Sequence, residues 1–167
     1  MSRFAPIRFI VRDLSFVVVA VVLWIVSTHL HDLDGAWGLV LDVATGVATL
    51  VPAALLHEWG HLAGARLGAS KVRFPDGVFA KLLFDFDVER NDRGQFLMMS
   101  FGGYAGSLLG VIVCWGALPP DRLASWIAQT GAVIGLIVSI LIEFPHTLQV
   151  LRGGPIPAPL VTATKPK

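Results

Sequence analysis

The sequence predicts an all-α polytopic membrane protein: four transmembrane helices, with a small cytoplasmic β-hairpin inserted between helices two and three. Three observations carry this. The 167 residues are 54% hydrophobic and 15% charged, with a mean hydropathy of +0.70, whereas soluble domains sit near about 45–50% and about 25%. Four stretches stay apolar over the ~20 residues that a spanning helix needs. Twelve of the 13 Lys and Arg residues fall in segments that a four-helix topology puts on one side of the bilayer.

The first apolar stretch covers about 14–30 and is interrupted only by Ser15, Ser27, Thr28 and His29. Arg3, Arg8 and Arg12 precede it, as they would a signal peptide. His29, His31 and Asp32 do not form a small-residue cleavage site, so the stretch reads as a retained helix. The second stretch, about 36–67, is longer than a bilayer requires; the third covers about 96–118 and the fourth about 123–151. The segment 71–95 is not membrane-like. Lys71-Val72-Arg73-Phe74 alternates, Pro75-Asp76-Gly77 is a turn signal, Val78 to Val88 is rich in Phe, Val and Leu, and Asn91-Asp92-Arg93-Gly94 is a second turn signal. Two or three short strands are expected there. One membrane-embedded domain covers 1–154. The tail 155–167 holds Pro155, Pro157, Pro159 and Pro166 and reads as extended and mobile.

Only Arg122 lies on the sparse side of this topology. The positive-inside rule makes the crowded side cytoplasmic, with both termini inside. The lack of a long lumenal domain points to a prokaryotic plasma membrane. The lipid bilayer is the first partner. The net charge of +1, with no basic block, excludes nucleic acid as another. The lone Cys114 allows no internal disulfide. A homo-oligomer is compatible with everything in the sequence.

Chemistry enters at His57-Glu58-Trp59-Gly60-His61, within the second stretch. Positions i and i+4 of a helix share a face, so two imidazoles at this spacing can bind one Zn2+ ion. The glutamate beside the first can take a proton from water on the metal. With five histidines and three glutamates in the chain, chance yields this pattern in about one such chain in several hundred. Ionisable groups inside a span are costly and mark function. The plain alternative is an interfacial His/Glu cluster near a helix end.

The motif inside an apolar helix, followed by a strand-bearing segment and a glycine-rich helix, resembles the site-2 protease family of intramembrane zinc metalloproteases over roughly 36–154. The resemblance implies His57 and His61 as zinc ligands and Glu58 as catalytic base. It also implies a membrane-protein segment as substrate. That family takes its third ligand from an aspartate in an Asp-Gly context on a late helix, and no aspartate follows Asp121 here. Pro145 is followed instead by Arg152-Gly153-Gly154, and Arg152 cannot bind zinc.

Glu143 is the substitute. It lies 20 residues after Leu123, while His57 lies 21 after Ala36; at 1.5 Å per residue both are about 30 Å down parallel helices. Pro145 removes a backbone donor near it and can kink the helix. His146, three residues on, competes for the role. Glu143 could instead pair with Arg152 or cap a helix end.

Gly102, Gly106 and Gly110, with Gly103 and Ser107 beside them, are expected to let the third helix approach its neighbour closely. The asparagine that the family often places on this helix is missing. Pro52 either bends the second helix to admit water or marks a packing kink. Asp42 reads as interfacial. His29, His31, Asp32 and Asp34 read as a solvated outer loop, with a second metal site as the alternative. The run Lys81 to Val88 either presents an edge that binds an extended substrate or caps the bundle by laying Phe79, Phe84 and Phe86 on the headgroups.

The sequence thus points to an intramembrane zinc metalloprotease. A protease-like protein acting by binding or regulation, and a small transporter or channel subunit, are the rivals.

Overall fold

The computed structural model describes residues 5–30, 36–80 and 82–157. The four apolar stretches form α1 (Ala5–His29), α2 (Ala36–Leu67), α3 (Arg93–Ala117) and α4 (Leu123–Leu151). Each is long and apolar enough to cross a membrane. Between α2 and α3 lie β1 (Val72–Arg73) and β2 (Asp85–Phe86), paired antiparallel with Val72 opposite Phe86 and Arg73 opposite Asp85. Of the run expected to offer a strand edge, only Asp85 and Phe86 are extended in this way, and Lys81 lies outside the described residues. So do Arg3, His31, Asp32, Asp34, Pro159, Lys165, Pro166 and Lys167.

Two helices start earlier than their apolar runs. α1 begins at Ala5 rather than near 14 because its polar first turns have partners. The Arg8 guanidinium donates to the carbonyls of Pro75 and Asp76, and Arg12 donates to the carbonyl of Val78 at 2.6 Å. Phe9, between them, is fully buried. α3 begins at Arg93 rather than near 96 because Asp92 caps it. The Asp92 carboxylate accepts from Gln95 N at 2.9 Å, while the Gln95 side chain accepts from Asp92 N at 2.8 Å. This capping box satisfies two otherwise orphaned donors, so what reads as a turn signal is the start of the helix.

α2 and α4 end alike. Ser70 N bonds to Ala65 O and Ala69 N to Arg66 O, and Gly154 N bonds to Gln149 O and Gly153 N to Val150 O. Both are Schellman closures with a left-handed residue: Gly153 at φ 87° after α4, and Ala69 at φ 52° after α2. Pro52 and Pro145 each sit inside an uninterrupted helix.

α2 packs against all three other helices. Its approach to α3 is backbone on backbone. A Cβ on Gly60 would lie 3.1 Å from Gly106 Cα, and one on Gly64 would lie 3.1 Å from Met99 Cα. Small residues permit such packing where lipid supplies no hydrophobic drive between helices. At the end of the bundle away from the hairpin, Arg122 pairs with Asp42 at 2.6 Å and donates to Thr28 Oγ1, Ser27 O and Ser27 Oγ. Asp42, read from the sequence as interfacial, is half of a part-buried ion pair that ties α1, α2 and the start of α4.

The hairpin closes the other end. Asn91 grips Lys71 through both its main-chain groups, at 2.6 and 2.7 Å. Phe84 joins the buried cluster of Phe9, Leu62, Ala65, Val72 and Leu83, with Trp59, Phe74, Phe86 and Met99 packed against it. Phe84 and Phe86 thus turn inward onto the bundle, and only Phe79, 86% exposed, points outward.

Candidate metal centre

α2 carries His57 and His61 one turn apart on the face that meets α3 and α4. Among the described residues, one group of metal-ligating side chains converges: His57, His61 and Glu143. His57 Nε2 is 2.9 Å from Glu143 Oε1 and 3.0 Å from His61 Nε2, and His61 Nε2 is 3.4 Å from Glu143 Oε2. The imidazoles meet edge to face, with centroids 4.4 Å apart at 81°.

α3 orients both rings. His61 Nδ1 donates to Met99 O at 3.0 Å, and His57 Nδ1 donates to Gly103 O at 3.1 Å with the Ser107 hydroxyl 2.8 Å away. A carbonyl only accepts, so each Nδ1 carries the hydrogen. Each Nε2 then presents a lone pair to the centre. Such outer partners fix the tautomer of metal-binding histidines. Gly103 makes room for one of them: a Cβ there would run into the His61 ring, with Nδ1 at 2.6 Å.

Two imidazole lone pairs and a carboxylate facing one another repel unless a cation lies between them. A proton relieves one pair; a metal ion relieves all three. Ligands ~2 Å from a common tetrahedral ion lie about 3.3 Å apart, close to the 2.9, 3.0 and 3.4 Å separations here. Two nitrogens and one carboxylate with an open fourth position are the donor set of a catalytic zinc site. The residues therefore fit such an ion.

Of the residues that the sequence singles out, α4 turns Glu143 rather than His146 to the imidazoles. His146 lines the adjoining groove. The Glu143 carboxylate faces His57 and His61, not Arg152, which is exposed after the helix end. Thr147 holds this turn in place: it is fully buried, donates to Glu143 O and meets Tyr104 Oη at 2.9 Å.

Glu58 borders two spaces. A groove of about 290 Å³ under the hairpin is lined by Glu58, His61, Phe86, Glu143 and His146 among others. A cavity of about 300 Å³ between α2 and α4 includes His57 and Glu58 in its wall.

Sequence reasoning missed Asp13. It is buried in α1 and accepts from Trp59 Nε1, inside the motif, at 2.7 Å and from Arg12 Nε at 2.5 Å. The available signal was a carboxylate at the edge of an apolar run, which needs a partner; the partner itself is not marked by any spacing. The carbonyls of Met99 and Gly103 were equally invisible, since main-chain acceptors leave no trace in residue type.

No protein-family model, no curated protein and no solved structure matches this chain; its site rests on its own geometry.

Proposed function

We propose that this protein is an intramembrane zinc metalloendopeptidase that cleaves a peptide bond in a membrane-associated segment. The observation that carries the reading is the convergence of His57 Nε2, His61 Nε2 and the Glu143 carboxylate beside Glu58. The resemblance of His57-Glu58-Trp59-Gly60-His61 to the site-2 protease family points the same way, with Glu143 as the substitute for the aspartate that family uses.

His57, His61 and Glu143 would hold the ion. Zinc in such a site lowers the pKa of water to about 7 and polarises a carbonyl. Glu58 accepts the proton released on attack and returns it to the leaving amine, a general-base and general-acid cycle on one carboxylate. The α3 carbonyls fix which ring nitrogen carries the hydrogen and aim both imidazoles. The groove under the hairpin receives the chain in an extended form, since a helical peptide shields its carbonyls. The crowding of cations at the hairpin end makes that end cytoplasmic, with both termini inside. A prokaryotic plasma membrane is the setting that this topology suits.

Metal analysis of the purified protein, together with cleavage of a model transmembrane peptide, tests this. Glu58→Gln is expected to keep one zinc per chain and to lose at least a hundredfold in rate. Glu143→Ala is expected to lose the metal and His146→Ala to keep it. Cleavage by Glu58→Gln at the parent's rate overturns the reading.

A further inference from the structure

Glu58 is a wall shared by two spaces, and only the groove under the hairpin has a role so far. The other space, about 300 Å³, lies between α2 and α4 with Ser107 of α3 at its back. Small residues leave it open: Ala53 and Ala54 on one side, and Gly131, Ala132 and Gly135 on the other. A Cβ on Gly131 would reach across to the Leu50 side chain, with Cδ1 at 2.9 Å, whereas one on Gly135 meets nothing within 4 Å. Ala54 and Gly135 are exposed on the outer surface of their helices. The cavity therefore opens sideways, between two spanning helices, to the apolar surroundings of the bundle, and its inner end is His57 and Glu58.

We infer that this cavity is a specificity pocket. It receives the apolar side chain of a residue flanking the cleaved bond, in a segment that enters laterally between α2 and α4, and Ala54 and Gly135 set its size. The inference rests on the protease reading and deepens it. In an extended peptide successive side chains point to opposite sides. A peptide bond that passes beside Glu58, the wall common to both spaces, thus has one neighbouring side chain toward the groove and the next toward the cavity. An apolar cavity of roughly 150 Å³ accommodates benzene, so this one, at about 300 Å³, accepts a Leu or Phe side chain. Its walls are mainly alkyl, and a residue smaller than the space forfeits contact with them.

Gly135→Leu, where an added Cβ meets nothing within 4 Å, and Ala54→Leu, at an exposed position, fill the pocket from opposite walls. The probe is a set of model transmembrane peptides carrying Ala, Val, Leu or Phe at each residue flanking the cleaved bond. The parent is expected to favour Leu and Phe. In both variants the Leu-to-Ala and Phe-to-Ala ratios of kcat/KM are expected to fall at least tenfold, the scale of one or two methylenes in an apolar site. Binding of the same peptides to Glu58→Gln, with and without each filling substitution, is expected to show the same loss of preference. Cleavage with an unaltered profile in both variants overturns the pocket and leaves the protease reading intact. A uniform loss on every peptide also overturns it, because a water path gives that result. No cleavage by the parent, with a binding preference that the fillings abolish, overturns the protease reading and keeps the pocket.

Discussion

The indole of Trp59 donates a hydrogen bond to the carboxylate of Asp13 at 2.7 Å, joining the middle of the histidine motif to the first helix. Asp13 also accepts from Arg12, which reaches on to the carbonyl of Val78. One buried carboxylate therefore links α1, α2 and the hairpin. Asp13→Ala leaves the indole N–H and the Arg12 Nε–H without their acceptor, at a cost of roughly 1–3 kcal/mol for each buried group. Asp13→Asn keeps one acceptor and is expected to cost less. Thermal unfolding in detergent checks the order: parent above Asp13→Asn above Asp13→Ala.

Gly103 lies where any side chain collides with the His61 ring. Gly103→Ala is expected to push that ring off its bond to Met99 O and to weaken metal binding about 10–100-fold, the scale seen when a partner of a metal-binding histidine is lost. Gly116→Ala, on the same helix with nothing within 4 Å of the new Cβ, is the control and should bind as the parent does. A zinc competition titration compares them, and equal affinity for Gly103→Ala would remove α3 from the account of ring orientation.

Ala69 closes α2 at φ 52°, a conformation that costs an L-residue about 1–2 kcal/mol relative to glycine. Ala69→Gly regains part of that and loses some to the greater freedom of the unfolded chain. A net gain of about 0.5–1 kcal/mol is expected, read as a raised Tm.

The hairpin carries a pH response of definite sign. The Arg73 guanidinium, bonded to Asp87 at 2.8 Å, holds that carboxyl below its ordinary value of 3.8. A lowered folded pKa means the pair stabilises the folded hairpin above pH 3.8 and ceases to do so as pH falls through the folded value. The Asp87 side chain is covered but the Arg73 guanidinium stands in water, so the effect is small and is screened by salt. Amide exchange at Val72 and Phe86, corrected for its intrinsic rate, is expected to rise below about pH 4 in the parent and to be already raised at neutral pH in Arg73→Ala.

Much of this molecule is legible without coordinates because a bilayer leaves few options. Backbone groups in lipid must bond internally, so four long apolar runs become four helices, and the spacing of the cations orders them. Counting residues from the sparse end brings His57 and Glu143 to one depth, and the structure joins them at 2.9 Å. The i, i+4 spacing puts His57 and His61 on one face. Gly102 and Gly106 mark where α3 can lie against α2.

What the sequence leaves open is rotation. Glu143 and His146 are three residues apart on α4, about 60° around its axis; depth and residue type make Glu143 the expected partner of the histidines but leave His146 as its competitor. Packing of α4 against α2 and α3 sets its rotation, and that turns Glu143 to the imidazoles and His146 to the groove. The same holds for Asp13 with Trp59 and Arg122 with Asp42. Each pair joins elements distant in sequence, and a partner across a helix interface is chosen by how the helices pack. Sequence alone determined the helices, their order and the spacing of the histidine motif; tertiary packing decided that Glu143 rather than His146 faces its imidazoles and which carbonyls aim them.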